Sequence, residues 1–274
     1  MRVRGKSVPA NLVVGGGLIA ILALAAVLAP VIAPMDPLAL DLRARMAGPG
    51  GAHLLGADEF GRDLASRLLY GARTSALIAT ATTAAALTLG LVFGILAGFF
   101  GGLCDRIVMI FNDAFLAFPG LLLALGFMAV FGASQGGIVM ALGLAYAPVV
   151  VRITRGTVMS IRAREFVEAS RVSGNSELWT MLRHVLPNCL APVIVLATTM
   201  FGWIILSESA LSFLGLGVPP PAPSWGNMLS TARPHAASAP HLVILPGLCI
   251  SLALLGANLL GDALRDWLDP RMKR

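Results

Sequence analysis

Charged residues are scarce in this 274-residue chain: they make up 12% of it, whereas soluble domains usually carry about 25%. Hydrophobic residues make up 57%, and the mean hydropathy is +0.83. A soluble core of ordinary size cannot bury that much apolar surface, so the composition predicts a membrane protein. The net charge is +6, but the basic residues lie at the ends of apolar runs and form no stripe, which argues against nucleic-acid binding.

Cysteine and histidine are also few, and their spacing is typical of no metal site or disulfide framework. The three cysteines are Cys104, Cys189 and Cys249, and none belongs to a CxxC pair. None of the four histidines falls in an HExxH pattern. We therefore expect no bound metal, and we expect the cysteines to pack as small apolar side chains.

Motifs for nucleotide binding and catalysis are missing as well. The sequence has no GxxxxGK[ST] phosphate loop, no GxSxG and no paired carboxylates of the kind that enzymes use. We expect a chain that is not an enzyme and binds no cofactor.

Six apolar runs predict an all-α membrane protein with six transmembrane helices, because about 20 apolar residues cross a bilayer core of about 30 Å. The predicted spans are residues 11–33, 75–100, 107–131, 136–151, 190–211 and 242–260. The first follows a basic head at residues 1–10. It is longer than the apolar part of a cleaved signal peptide, so we expect it to be retained as a membrane helix.

The segments between the spans define the predicted organisation. Residues 34–73 form a loop on one side, residues 74–260 form a core with spans two to six, and residues 261–274 form a charged tail. Six crossings place both termini on the same side. Fourteen of the twenty Lys and Arg residues fall on that side, which the positive-inside rule assigns to the cytoplasm.

Residues 152–187 form the one long, arginine-rich polar segment between two spans. Residues 164–173 favour a helix, Gly174 is expected to end it, and Asn175 or Ser176 can cap a second helix. In that second helix an apolar face at positions i, i+3, i+4 and i+7 is formed by Leu178, Met181, Leu182 and Val185. Pro187 marks its expected end. Two interpretations remain open: a helix on lipid headgroups, or a docking element for a protein partner.

The spacing in this segment resembles the EAA loop of bacterial ABC importer permeases. That loop reads Glu-Ala-Ala, three residues, Gly, nine residues, Ile, one residue and Leu-Pro. The matching residues are Glu168, Ala169, Ser170, Gly174, Leu186 and Pro187. The chain departs from the pattern at Ser170, where the family has Ala, and at His184, where it has Ile.

Longer stretches are similar to the C-type permease subunit of dipeptide, oligopeptide and nickel importers. They are HLLGADEFGRDLASRLLYGAR from residue 53, LAFPGLLLAL from 116, LSFLGLGVPPPAPSWGNML from 211 and LLGDALRDWLDPR from 259. The resemblance implies a multi-pass protein of the bacterial inner membrane. Its implied partners are a homologous B-type permease in a heterodimer, two ABC ATPase subunits that bind ATP and Mg²⁺, an extracytoplasmic binding protein, and membrane lipid.

The resemblance also implies roles for individual residues. The loop would supply a coupling helix that enters a cleft on the ATPase. Glu168 would meet a basic residue there, Ala169 and Ser170 would allow close backbone approach, and Gly174 would form the corner. The substrate stays open among dipeptides, longer peptides, nickel chelates and haem. Two rival interpretations are a secondary transporter or channel that works alone and a membrane scaffold without transport activity. The first predicts internal repeats, and the sequence shows no clear repeat.

Two acidic residues fall inside predicted spans, where a charge is costly and usually faces protein or water. Asp113 lies in the third span and Glu208 in the fifth. Either could line the translocation pathway and meet the amino end of a peptide, or could be satisfied by a neighbouring helix. We favour the second interpretation for both. Gly90, Gly94 and Gly98 repeat every four residues and predict close helix packing.

Overall fold

The computed structural model describes residues 9–268, so the basic residues of the predicted head and the last six residues of the predicted tail lie outside the described part. Within residues 9–268 the regular elements are helical, with two isolated β-bridges in the loop before the second helix. The longer helices are α1 (Ala10–Ile32), α2 (Leu64–Phe100), α3 (Gly102–Leu116), α4 (Gly120–Phe131), α5 (Gln135–Arg162), α6 (Glu165–Val172), α7 (Glu177–Thr180), α8 (Leu186–Phe213), α9 (Trp225–Ala232) and α10 (His241–Leu268). Short 3₁₀ turns lie at Leu42–Ala44 and Arg233–His235, and a π-helical turn at Met181–Val185 joins α7 to α8.

Five helices in the described part are long and apolar enough to cross a membrane, or six when the bent pair α3 and α4 counts as one span. The all-α membrane fold is thereby confirmed. Several helices extend beyond the predicted spans, and α10 continues to Leu268 instead of residue 260, so the start of the predicted tail is helical. α2 begins at Leu64 instead of residue 75, and α5 continues to Arg162 instead of ending near residue 151. Residues 152–162 are thus the end of a long helix and not part of a loop.

The third predicted span, residues 107–131, is interrupted. α3 and α4 meet at an angle of 98°. Pro119 stands at the N-cap of α4 with extended backbone angles, and it has no N–H to continue the hydrogen bonding of α3. The residue before a proline is also disfavoured in the helical region, which sets the break at Ala117 to Pro119.

The described residues fall into two compact units. Within residues 9–268, the first comprises 9–80, 133–138 and 198–268, and the second comprises 81–132 and 139–197. In the first unit α1 packs on α10 through glycines at both sides of the contact. A Cβ on Gly15 would lie 2.6 Å from the backbone N of Leu260, and a Cβ on Gly256 would lie 2.8 Å from Cβ of Leu18.

In the second unit the predicted glycine stripe of α2 packs against α5. A Cβ on Gly90 would lie 2.2 Å from Cβ of Val150, and a Cβ on Gly94 would lie 2.6 Å from Cβ of Thr154. The two helix backbones approach so closely that only glycine fits on the α2 side.

Candidate functional site

The polar segment after α5 forms a compact bend. α6 carries Glu168, Ala169 and Ser170, and it ends two residues before Gly174, whose φ of +83° lies in the left-handed region. The N–H of Gly174 donates to the carbonyl oxygen of Arg171 at 2.9 Å. Ser176 then caps α7 by accepting a hydrogen bond from the backbone N–H of Trp179. The glycine corner and the Ser176 cap were both expected from the sequence.

Ser170 fastens the two sides of this bend together. Its Oγ lies 2.9 Å from Oγ1 of Thr180, and both side chains are buried. The Asn175 amide nitrogen also donates to Ser170 Oγ, at 3.2 Å. An alanine, as in the family pattern, would leave Thr180 without this partner. Nearby, Arg171 pairs with Glu177 at 3.0 Å, which adds a partly exposed link across the corner.

The inner side of the bend belongs to an apolar core cluster. We define the core cluster by its buried members Ile95, Phe99, Val158, Ile161, Val167, Met181, Val185 and Cys189. The cluster joins the ends of α2 and α5 to α6, to the π-helical turn and to the start of α8. Because these apolar side chains are buried against one another, the bend packs firmly on the ends of α2 and α5.

The outer side of the bend shows that the predicted single apolar face is wrong. Met181 and Val185 point into the core cluster, whereas Leu178 and Leu182 are 58% and 51% exposed. The reason is the π-helical turn, in which the N–H of Leu186 bonds to the carbonyl of Met181, five residues back. In this wider turn, residues three apart are rotated further from each other than in an α-helix, so Leu178 and Leu182 lie on a different side from Met181 and Val185.

The outward side chains surround a shallow hollow of about 450 Å³, which we call the docking hollow. Its lining residues are Ser176, Leu178, Trp179, Leu182 and Arg183. Trp179 is 45% exposed, and the His184 ring lies edge-on to it at 5.1 Å and to Phe166 at 6.2 Å. Three large apolar side chains exposed next to one another, with one arginine at the rim, are typical of a protein-binding surface.

The remaining motif residues lie beside this hollow. Glu168 and Ala169 are exposed on α6, and the Glu168 carboxylate has no hydrogen-bond or ion-pair partner among residues 9–268. Leu186 packs against the core cluster, and Pro187 is exposed in the first turn of α8. Pro187 does not end the helix as expected, since the chain stays helical from Glu177 to Phe213. The preceding π-turn accommodates the missing proline N–H.

The two acidic residues of the spans differ in their surroundings. Asp113, in the second unit, is paired with Arg152, with 2.5 Å between Oδ1 and Nη2, and each side chain is 57% exposed. A second pair, Arg155 with Asp105, joins the same two helices, with 2.6 Å between Nη2 and Oδ2. Both ion pairs link α3 to α5.

Glu208, in the first unit, is 1% exposed. Its Oε1 accepts hydrogen bonds from the hydroxyls of Ser212 and Ser224, each at 2.9 Å, while Oε2 has no partner among residues 9–268. Ser224 caps α9, so Glu208 ties that helix to α8. This geometry favours a structural role over contact with a substrate. The sequence did not identify Ser224 as its partner.

Residues 90–274 match the family described as binding-protein-dependent transport system inner membrane component. The chain belongs to this family. It is 44% identical over 266 residues to a di/tripeptide transport system permease protein of Pseudomonas aeruginosa, covering 94% of this chain and 88% of that one. It is 40% identical over 227 residues to a glutathione transport system permease protein of Pectobacterium atrosepticum, covering 82% of this chain and 75% of that one.

The same fold occurs in a solved ABC transporter. A chain of the MetNI methionine ABC transporter, in an inward-facing conformation, superposes with a TM-score of 0.57 at 16% identity. The match covers 72% of this chain and 96% of that chain. The protein is therefore a multi-pass inner-membrane transport component with the fold of an ABC importer permease, and such importers combine permease, ATPase and binding-protein components.

Proposed function

We propose that this chain is one permease subunit of an ATP-driven importer of dipeptides or oligopeptides. It lines half of a translocation pathway, and a homologous B-type permease lines the other half. The relatives described above support the substrate class, because one is named for di- and tripeptides and the other for glutathione, itself a short peptide. Neither relative is named for nickel or haem. Membership of a binding-protein-dependent transport family also argues against a transporter that works alone.

The docking hollow is the observation that supports a role for the bend in coupling to the ATPase. It exposes Leu178, Trp179 and Leu182 at a bend that also presents Glu168. In the proposed complex the ATPase receives these apolar side chains, and a basic residue of the ATPase meets Glu168. The alternative, a helix on lipid headgroups, leaves the Glu168 carboxylate next to lipid phosphate, which is less favourable.

The core cluster explains how motion would pass to the membrane helices. Val167, Met181 and Val185 anchor the bend to Phe99 of α2 and to Val158 of α5. When two ATPase subunits bind ATP with Mg²⁺ and close, a bend held in this way moves as a rigid body with the helices behind it. In this proposal ATP hydrolysis belongs to the ATPases, and this chain does no catalysis and binds no cofactor or metal.

The proposed orientation places both termini and residues 152–187 in the cytoplasm, with the binding protein on the opposite side near residues 34–73. Fourteen of the twenty Lys and Arg residues support it. The long loop between α1 and α2 is internally braced, since Asp63 accepts hydrogen bonds from Ser66 and lies 3.0 Å from Nδ1 of His53. Such a rigid surface suits repeated docking of a soluble carrier.

The test is reconstitution of the complete importer in vesicles with the second permease, the ATPases and the binding protein. We expect dipeptide uptake that requires both ATP and the binding protein. Glu168→Lys should lower the number of peptides imported per ATP by about tenfold or more, equivalent to about 1.4 kcal/mol of coupling free energy. Glu165→Lys, the same charge change three residues earlier on α6, is the matched control and should keep normal coupling.

Uptake without the ATPases would contradict the proposal. Normal coupling in Glu168→Lys would remove the assigned role of the bend while leaving the transport function in place.

A further inference from the structure

An apolar cavity of about 360 Å³ lies in the second unit among α2, α3 and α5. Its lining includes Phe93, Asn112, Leu144, Ala147, Pro148 and Val151. The volume falls within the range of small-molecule sites, about 300–1,000 Å³. None of these residues belongs to the docking hollow or to the core cluster.

Asn112 is the unusual member of this lining. Its side chain is 4% exposed, and both its amide nitrogen and its amide oxygen lack a hydrogen-bond partner among residues 9–268. Burial of an amide with neither end satisfied is rare in proteins and is unfavourable. In addition, Pro148 has no N–H to donate to the carbonyl oxygen of Leu144, which also lines the cavity. The cavity thus offers both a donor and an acceptor to a bound molecule.

One residue of each charge directly follows a lining residue in the chain, and we call these two residues the rim pair. Arg152 follows the lining residue Val151, and Asp113 follows the lining residue Asn112. Their side chains form the ion pair described above, and more than half of each remains exposed. An apolar cavity with an unsatisfied amide, followed one residue further along α5 and α3 by a paired cation and anion, is complementary to a zwitterion with an apolar body.

We propose that this cavity and the Arg152–Asp113 pair form a transient site for the peptide during its passage, an inference that rests on the proposed function. An apolar side chain of the peptide enters the cavity, and the Asn112 amide bonds the peptide backbone. Arg152 and Asp113 exchange their mutual contact for the terminal carboxylate and ammonium groups. Arg152 and Asp113 neutralise each other before the peptide binds and are neutralised by its terminal groups afterwards. The free energies of the two states are therefore nearly equal, and the peptide dissociates readily.

Other occupants match this chemistry less well. A lipid acyl chain would fill the apolar volume but would give the Asn112 amide no partner. A helix of the partner permease has its backbone groups already hydrogen-bonded, so it would need a polar side chain at this depth. A short peptide brings free backbone groups, both terminal charges and an apolar side chain together.

The first experiment compares the uptake rates of two peptides as a ratio. The binding protein is the same for wild type and variant, so any change in this ratio arises in the permease. Ala147→Phe narrows the cavity. In vesicles with the complete importer we expect uptake of Phe-Phe to fall relative to Gly-Gly by about tenfold or more, as for a side chain that no longer fits. Uptake of Gly-Gly, which places no side chain in the cavity, should fall much less than uptake of Phe-Phe. An unchanged ratio would overturn the proposal.

The second experiment tests the Arg152–Asp113 rim pair and leaves the residues that line the cavity unchanged. Arg152→Gln should reduce the preference for a dipeptide over its C-terminal amide by roughly two- to fivefold, as expected for an ion pair still open to water. Arg155→Gln is the matched control, because it removes the second pair in the same helices and should leave that preference unchanged. Equal preferences in wild type and Arg152→Gln would overturn the proposal.

Two further outcomes are distinguishable from these. If Ala147→Phe loses uptake of both peptides and no longer copurifies with the second permease, the cavity holds a partner helix and the proposal is wrong. If the wild-type importer takes up neither peptide in the presence of ATP and binding protein, the proposed function itself has failed.

Discussion

Replacement of Gly90 by alanine is expected to force α2 and α5 apart. The new Cβ would lie 2.2 Å from Cβ and 2.3 Å from Cγ1 of Val150. Carbon atoms in contact need about 3.5 Å or more, so the backbones must separate by about 1.3 Å. Overpacking of this kind costs typically 1–3 kcal/mol, and we expect about 3 kcal/mol because no change of rotamer moves a Cβ.

The assay is thermal unfolding of the purified protein in detergent or lipid nanodiscs. Gly90→Ala should unfold at a clearly lower temperature than wild type. Gly156→Ala is the matched control, since a Cβ at that position of α5 would meet no atom within 4 Å. Val150→Ala should not rescue Gly90→Ala, because Cβ of residue 150 remains. If Gly90→Ala and Gly156→Ala unfold at the same temperature, the close packing of α2 on α5 is refuted.

Three further predictions concern the bend and Glu208. Ser170→Ala should destabilise the bend by about 1–3 kcal/mol, because it leaves the Thr180 hydroxyl unpaired, and the double variant with Thr180→Val should recover most of that loss. Hydrogen exchange of the backbone amides in residues 165–185 measures both effects. Exchange in the double variant that is as fast as in Ser170→Ala would argue against the contact. Gly174→Ala should lower the stability of the bend by about 1–2 kcal/mol. The cause is the positive φ alone, because a Cβ there would meet no atom within 4 Å. Faster proteolysis of the bend is the measurement. Glu208→Leu should lower the unfolding temperature by removing the acceptor of the Ser224 hydroxyl, whereas Glu208→Gln keeps an acceptor and should keep both stability and uptake; lost uptake at unchanged stability in Glu208→Gln would indicate substrate contact instead.

The sequence predicted where most membrane helices lie, because apolar length follows from bilayer thickness. It did not predict the break between α3 and α4, although Pro119 was visible. The reason is that Pro30, Pro148, Pro192 and Pro246 all stand inside continuous helices. Neighbouring helices in a membrane protein can satisfy the backbone that a proline frees, so a proline alone does not tell a sharp bend from a straight helix.

The candidate site shows the same division between local and distant information. Gly174 and the Ser176 cap follow from local chemistry and were placed correctly. The outward turn of Leu178 and Leu182 depends on a π-helical turn, which has no reliable sequence pattern. The contact between Glu208 and Ser224 joins residues sixteen positions apart, and such tertiary partners are not readable from periodicity.

The central claim, that the docking hollow is held by a separate ATPase, is tested most directly by site-specific photocrosslinking in whole cells that express the complete importer. A photoreactive phenylalanine analogue at Leu178 or Leu182 should crosslink to the ATPase subunit. The control is the same analogue at Val31, which is exposed at the end of α1 that the proposed orientation places on the extracytoplasmic side, and it should give no ATPase product. Crosslinks from Leu178 and Leu182 to lipid alone, or to the extracytoplasmic binding protein, would contradict the account.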